Sequence, residues 1–206
     1  AIARKYNVPI IEDDAYGSIP ARGQQPAPFA TIVPELTWHI AGLSKCIGAG
    51  LRVAYVVVPD TRSSWPFAST LRASTVMASP LTVALATKWI NDGTAASILR
   101  FIRLETAKRH KLASEILPEN SFRGSPLSFS IWVPLPELWS RTAFVEHMRS
   151  TGIGVVASDA FVVDGDPPDA VRICLGGPTN RQQIKGALEY IAHALTESPA
   201  LASAFL

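Results

Sequence analysis

Cysteine is scarce in this chain of 206 residues, with only Cys46 and Cys174. Two thiols exclude a disulfide framework, and with no signal peptide in view the expectation is a reduced, cytoplasmic protein. No apolar run reaches the length of a membrane span. Charge is sparse as well: charged residues make up 17% of the chain and the formal net charge is +2. Lys and Arg are scattered, which leaves no electrostatic case for nucleic-acid binding by these residues. The histidines His39, His110, His147 and His193 have no Cys or carboxylate at ligand spacing, so the pattern offers no metal site. An initiating Met is also missing. The chain opens in Ala-Ile-Ala-Arg-Lys-Tyr, which reads as the last turns of a helix stopped by Asn7 and Pro9. We therefore expect the carboxyl-terminal part of a longer protein.

What is present is apolar: 48% of residues are hydrophobic, enough to fill a substantial core. Residues 9–12 read as a strand, and a Gly-, Gln- and Pro-rich loop follows between Gly17 and Pro34. Residues 36–41 and 52–58 read as two more strands. The second is Val-rich and expected to be buried on both faces. From Trp65 to Trp89 the pattern is helical with interruptions at Pro66 and Pro80, and Leu81, Leu85 and Trp89 suggest a buried helix. Residues 94–117 form an amphipathic helix whose basic side is expected to be solvated. The turn around residues 91–93 divides the chain into 1–92 and 93–206. The second part reads as a smaller α+β domain, with strands near 127–133, 153–157 and 171–175. Helices are expected at 138–151 and 179–194, the latter capped by Thr179 or Asn180, before an Ala- and Ser-rich tail that frays.

Two stretches carry chemistry. His39 to Pro59 runs from an apolar strand into Ser44-Lys45, past Gly48 and Gly50, to Arg52. A desolvated lysine can lose its proton and attack carbonyls. An arginine beyond two glycines suits a phosphate. Two solvated surface cations are the plain alternative. Val8 to Tyr16 ends a short strand in Glu12, Asp13, Asp14 and Tyr16, at the strand end where open α/β sheets place ligands. Glu12 and Asp14 are expected to be ordinary strand-end charges, Cys46 a packing residue, and Trp132 and Trp139 core or interface residues.

Together these stretches resemble the class I aminotransferases of fold type I, enzymes that use pyridoxal 5′-phosphate. Asp13 and Tyr16 match that family's Asp-x-x-Tyr, and Ser44-Lys45 with Gly50-Leu51-Arg52 its lysine motif. Ala170 to Pro178 looks like its strand bearing a carboxylate-binding arginine, here Arg172. The resemblance implies the carboxyl-terminal part of an α/β cofactor-binding large domain followed by a small α+β domain. It further implies that Lys45 carries the cofactor as an internal aldimine and moves a proton. Asp13 would hold the pyridine nitrogen, Tyr16 the phenolic oxygen, and Arg52 with Ser44 the phosphate. Arg172 would take the substrate's carboxylate. Gly42 departs from the pattern, standing where many members have a phosphate-binding serine. Family members are roughly twice as long, so weak or no catalysis is expected from this chain alone.

Residues 69–81, 89–94 and 171–177 are similar to one branch in particular, the MocR subfamily of GntR-type transcription regulators. That likeness implies an effector domain sensing an amino acid or amine, a homodimer, and DNA contact only through an upstream helix-turn-helix domain. A working aminotransferase acting on an amino acid and a 2-oxo acid is the other reading, with the same site residues.

Overall fold

The computed structural model describes residues 1–20, 23 and 25–197, so the tail from Ser198, expected to fray, lies outside the described residues. The chain divides into two compact units, residues 1–103 and 104–206. The division falls inside one long helix, α5 (Thr94–Ile116), whose residue range lies within one turn of the sequence-based range.

The first unit opens with a short helix, α1 (Ile2–Tyr6), closed by Asn7 in a left-handed conformation. Strand β1 (Ile10–Asp13) then pairs in parallel with β2 (Thr37–Gly42), with Asp13 opposite Ile40. A short helix, α2 (Phe29–Ile32), lies in the connection. Strand β3 (Ala54–Val57) runs antiparallel to β2, giving a sheet in the order β1-β2-β3. The carboxyl ends of β1 and β2 and the amino end of β3 therefore share one edge.

Three expectations change in this unit. The Val-rich strand is not buried on both faces: Tyr55 is 45% and Val57 58% exposed, because β3 is an antiparallel strand at the sheet's edge. Pro66 does not interrupt its helix. Helix α3 (Thr61–Thr75) starts a turn earlier than the apolar pattern suggests, because the Asp60 carboxylate accepts from the Ser63 amide at 2.7 Å and caps it. Pro66 then sits in the second turn, and the bond it forfeits is one to the Arg62 carbonyl. In α4 (Pro80–Asn91) the supposed buried stripe faces water, with Leu81 78% exposed; Ala86 is the buried residue. Pro80 opens that helix at its first position, where no amide donor is needed.

The second unit closes on itself. Strand β4 (Ser130–Pro134) pairs antiparallel with β6 (Ala170–Cys174), which pairs with β5 (Val156–Ala157). Strict alternation turns Ile131, Val133, Val171 and Ile173 to one face, each at most 5% exposed. Helices α6 (Arg141–Ser150) and α7 (Arg181–Thr196) cover that face with Phe144, Met148, Leu188 and Ile191. Trp139 joins this core and donates its indole N–H to the carbonyls of Ala194 and Glu197. Asn180, one of two expected caps, forms a capping box with Gln183.

Candidate cofactor site

The shared edge of the first sheet collects the predicted site residues of that unit. Asp13 is the last residue of β1, and its carboxylate accepts from the Ala15 amide at 3.1 Å. Two successive turns follow, closed by bonds from the Gly17 amide to the Asp14 carbonyl and from the Ile19 amide to the Tyr16 carbonyl. A side chain at Gly17 would run into the Asp14 carboxylate, 2.0 Å from its Cβ position, and force that carboxylate to move. Beyond β2, the amides of Ile47 and Gly48 both reach the Leu43 carbonyl. That tight turn presents Ser44 and Lys45. The Lys45 ammonium lies 5.6 Å from the Tyr16 ring centroid, within cation–π range. A 3-10 turn, Ala49–Leu51, leads to Arg52, which holds a left-handed conformation at φ 51°. That backbone costs a non-glycine residue about 1–2 kcal/mol, and such strain clusters where a side chain must be aimed.

Asp13, Tyr16, Ser44, Lys45 and Arg52 thus meet at one sheet edge. All but Ser44 are exposed. The expectation of a desolvated lysine is not met within this chain, because no described residue covers Lys45. A side chain at Gly42, Gly48 or Gly50 would meet nothing within 4 Å. Packing among the described residues therefore does not account for these glycines.

Glu12 and Asp14 do more than sit at a strand end. His39 Nδ1 lies 3.0 Å from the Glu12 carboxylate, and its Nε2 lies 3.6 Å from that of Asp14. Glu12 also accepts from the amides of Phe29 and Ala30, fixing the start of α2. Desolvation works to raise the Glu12 carboxyl, but the Phe29 amide, His39 and the Ala30 amide together outweigh it and hold the carboxyl below its usual range. His39 is therefore not isolated. Its partners are distant in sequence and adjacent only through the parallel β1–β2 register. Cys46 is buried, and burial pushes its thiol up, which suits packing rather than nucleophilic attack.

In the second unit Arg172 lies on the sheet face opposite the core, in register with Trp132 on β4 and Val156 on β5. A short 3-10 helix, Ser158–Phe161, sets the Phe161 ring 4.8 Å from the Arg172 guanidinium carbon and 5.8 Å from the Trp132 ring. The Arg172 Nε is shielded from solvent with no hydrogen-bond partner among the described residues. A buried donor left unpaired is costly, and a planar carboxylate is the natural acceptor for such a fork. Phe161 was not singled out in the sequence, where nothing in its spacing marks it.

Two arginines of α5 also depart from the expected solvated role. Arg103 donates to the carbonyls of Ser18, Ile19 and Pro20 at 2.7–2.9 Å. Arg109, 9% exposed, donates to the Leu175, Gly177 and Thr179 carbonyls and to the Glu105 carboxylate. Arg181 grips the same carboxylate, and the hydrogen bonds from Arg181 and Arg109 lower the Glu105 pKa to about 2.

Comparison with known proteins agrees with this geometry. Residues 1–191 match the profile of aminotransferase class I and II. An uncharacterized HTH-type transcriptional regulator of Bacillus subtilis, YdeF, is 29% identical over 198 residues, covering 95% of this chain and 42% of the relative. An uncharacterized aminotransferase of Saccharolobus solfataricus is 24% identical, covering 90% of this chain and 47% of its own length. Among solved structures, kynurenine aminotransferase of Pyrococcus horikoshii aligns with a TM-score of 0.81 at 18% identity, over 95% of this chain and 49% of that one. The α-aminoadipate aminotransferase LysN of Thermus thermophilus aligns at 0.80 and 17%, over 100% of this chain and 53% of that one. The chain thus spans about half the length of the proteins it matches. Its fold is that of the fold type I enzymes that use pyridoxal 5′-phosphate. The chain belongs to the aminotransferase class I and II family.

Proposed function

We propose that this chain is part of the pyridoxal-phosphate-binding effector domain of a GntR/MocR-type transcription regulator, a homodimer of the cytoplasm that responds to an amino acid or amine. The observation that carries the cofactor half of this reading is the meeting of Asp13, Tyr16, Lys45 and Arg52 at one sheet edge around open glycines. The regulator half is supported by two relatives from Bacillus subtilis, YdeF and YisV, that are named as HTH-type regulators.

The residues fit the cofactor chemically. When bound, pyridoxal phosphate supplies an electron sink for bonds at the amino acid's α-carbon. Lys45 offers the amine that bonds the cofactor and can shuttle a proton at that carbon. Asp13 would keep the pyridine nitrogen protonated. Tyr16 would donate to the phenolic oxygen. Arg52 and the Ser44 hydroxyl would hold the phosphate with charge-assisted bonds. Arg172, with its shielded Nε, takes the ligand's carboxylate. DNA contact belongs to a helix-turn-helix domain elsewhere in the complete protein.

A second reading is a working amino-acid aminotransferase. The uncharacterized aminotransferase of Saccharolobus solfataricus favours it. Both readings meet one experiment on the complete protein loaded with pyridoxal phosphate. A panel of amino acids is tested for transfer of the amino group to a 2-oxo acid and for a change in affinity for the protein's own promoter DNA. The regulator reading expects DNA affinity to shift severalfold with one class of amino acid, dependent on Lys45, and without sustained turnover. Sustained turnover with no DNA binding would overturn it in favour of the enzyme.

A further inference from the structure

The structure assigns Arg103 a positioning role: its guanidinium fixes the turn that aims Tyr16. The inference rests on reading Tyr16 as the residue that faces the cofactor's phenolic oxygen.

Tyr16 is 53% exposed, so burial of its ring does little to fix it. The Lys45 ammonium lies 5.6 Å from its ring centroid, and the backbone on either side helps set where the ring points. Upstream, the segment is tied by the Asp14 amide donating to the Ile40 carbonyl at 2.9 Å and by the Asp14 carboxylate beside His39. Downstream lie the carbonyls of Ser18, Ile19 and Pro20, three consecutive acceptors turned towards one point. Arg103 occupies that point, donating from Nε to Ile19 at 2.7 Å and from Nη2 to Ser18 at 2.8 Å and Pro20 at 2.9 Å. Ile19, at 2% exposure, anchors the same turn through its side chain. The Ile19 amide in turn closes onto the Tyr16 carbonyl at 2.9 Å, so the clamped residue is bonded directly to Tyr16.

A planar guanidinium with donors in a fixed fork can serve three carbonyls at once, whereas a lysine offers a point charge without that geometry. Arg103 comes from α5, more than eighty residues away in sequence, so the clamp forms only when the unit is folded. Its bonds go to the carbonyls of Ser18, Ile19 and Pro20, none of them a residue we place beside the cofactor, and Ile19 passes the restraint on to Tyr16.

The test uses the complete protein loaded with pyridoxal phosphate and follows the pH midpoint of the cofactor's visible absorbance band. A phenol donating to the phenolic oxygen favours its anionic form, so Tyr16→Phe should raise the midpoint by about one pH unit. Arg103→Gln should raise it by about half that shift or more and add nothing in the Tyr16→Phe background, the mark of two residues acting through one contact. Arg103→Lys should recover part of the loss. Circular dichroism and thermal midpoints accompany each variant. If Arg103→Gln fails to fold, Arg103→Lys carries the comparison with the same expected direction. An unchanged midpoint in Tyr16→Phe would sink the reading of Tyr16 itself. A raised midpoint in Tyr16→Phe with none in the Arg103 variants, or an Arg103 shift that persists undiminished beside Tyr16→Phe, would overturn the positioning role and leave the Tyr16 reading standing.

Discussion

The two units spend a similar stock of apolar residues differently. In residues 104–206, β4, β6 and two helices enclose Phe144, Met148, Val133 and Val171, all at 0% exposure. In residues 1–103, Ile11, Trp65 and Leu81 are each at least 75% exposed, and the sheet ends in an open edge bearing Asp13, Lys45 and Arg52. One unit thus builds its own core and sets Arg172 in register with Trp132 and Val156 and over the Phe161 ring. The other gathers charged side chains at a sheet edge without enclosing them among the described residues. Bringing charged side chains together and desolvating them are separate tasks, and three strands accomplish only the first.

Substitutions can break this contrast or sharpen it. The largest effect should come from Phe144→Ala, which leaves a cavity in the closed core and should cost about 3–5 kcal/mol. Trp65→Ala, at a side chain 76% exposed, should stay within about 0.5 kcal/mol. Hydrogen exchange resolved by unit during urea unfolding measures both, and comparable losses would erase the distinction. Acid should act next. The Glu105 carboxyl is lowered from 4.5 to about 2, chiefly by the hydrogen bond from Arg181 and then by that from Arg109. A depressed carboxyl contributes stability that is complete above its unfolded pKa and lost as pH falls through the folded one. The second unit should therefore weaken between about pH 4.5 and 2, and Arg181→Gln should flatten that dependence. A pH series of unfolding midpoints checks it. Asn180→Ala should cost less than Phe144→Ala, removing the α7 capping box for about 1 kcal/mol, seen as faster amide exchange in the first turn of that helix.

What could be read from the sequence follows the range of the forces involved. The long helix from Thr94, the helix inward through Phe144 and Met148, and the final helix rest on local periodicity and caps, and all three form where the pattern places them. The family and fold were legible because Asp13-x-x-Tyr16, Ser44-Lys45 and Arg52 are local motifs. Burial was less so. Val56, Val57, Leu81 and Leu85 carry an interior pattern, yet the neighbours that would cover them are not among the described residues. The arginines were read as solvated because their acceptors are backbone carbonyls 66 to 85 residues away, which no spacing reveals. His39 escaped for the same reason, its partner Glu12 lying 27 residues back.

The central claim is that Lys45 is the cofactor's lysine. This chain holds Lys5, Lys45, Lys88, Lys108, Lys111 and Lys185, and chemical trapping tells Lys45 from the others and from lysines elsewhere in the complete protein. The complete protein is loaded with pyridoxal phosphate, reduced with borohydride, digested and mapped by mass spectrometry. We expect the phosphopyridoxyl mass on the peptide containing Lys45, and its loss in Lys45→Ala. The mass on another lysine, or on none, would contradict the assignment and leave the chain a member of its family by fold alone.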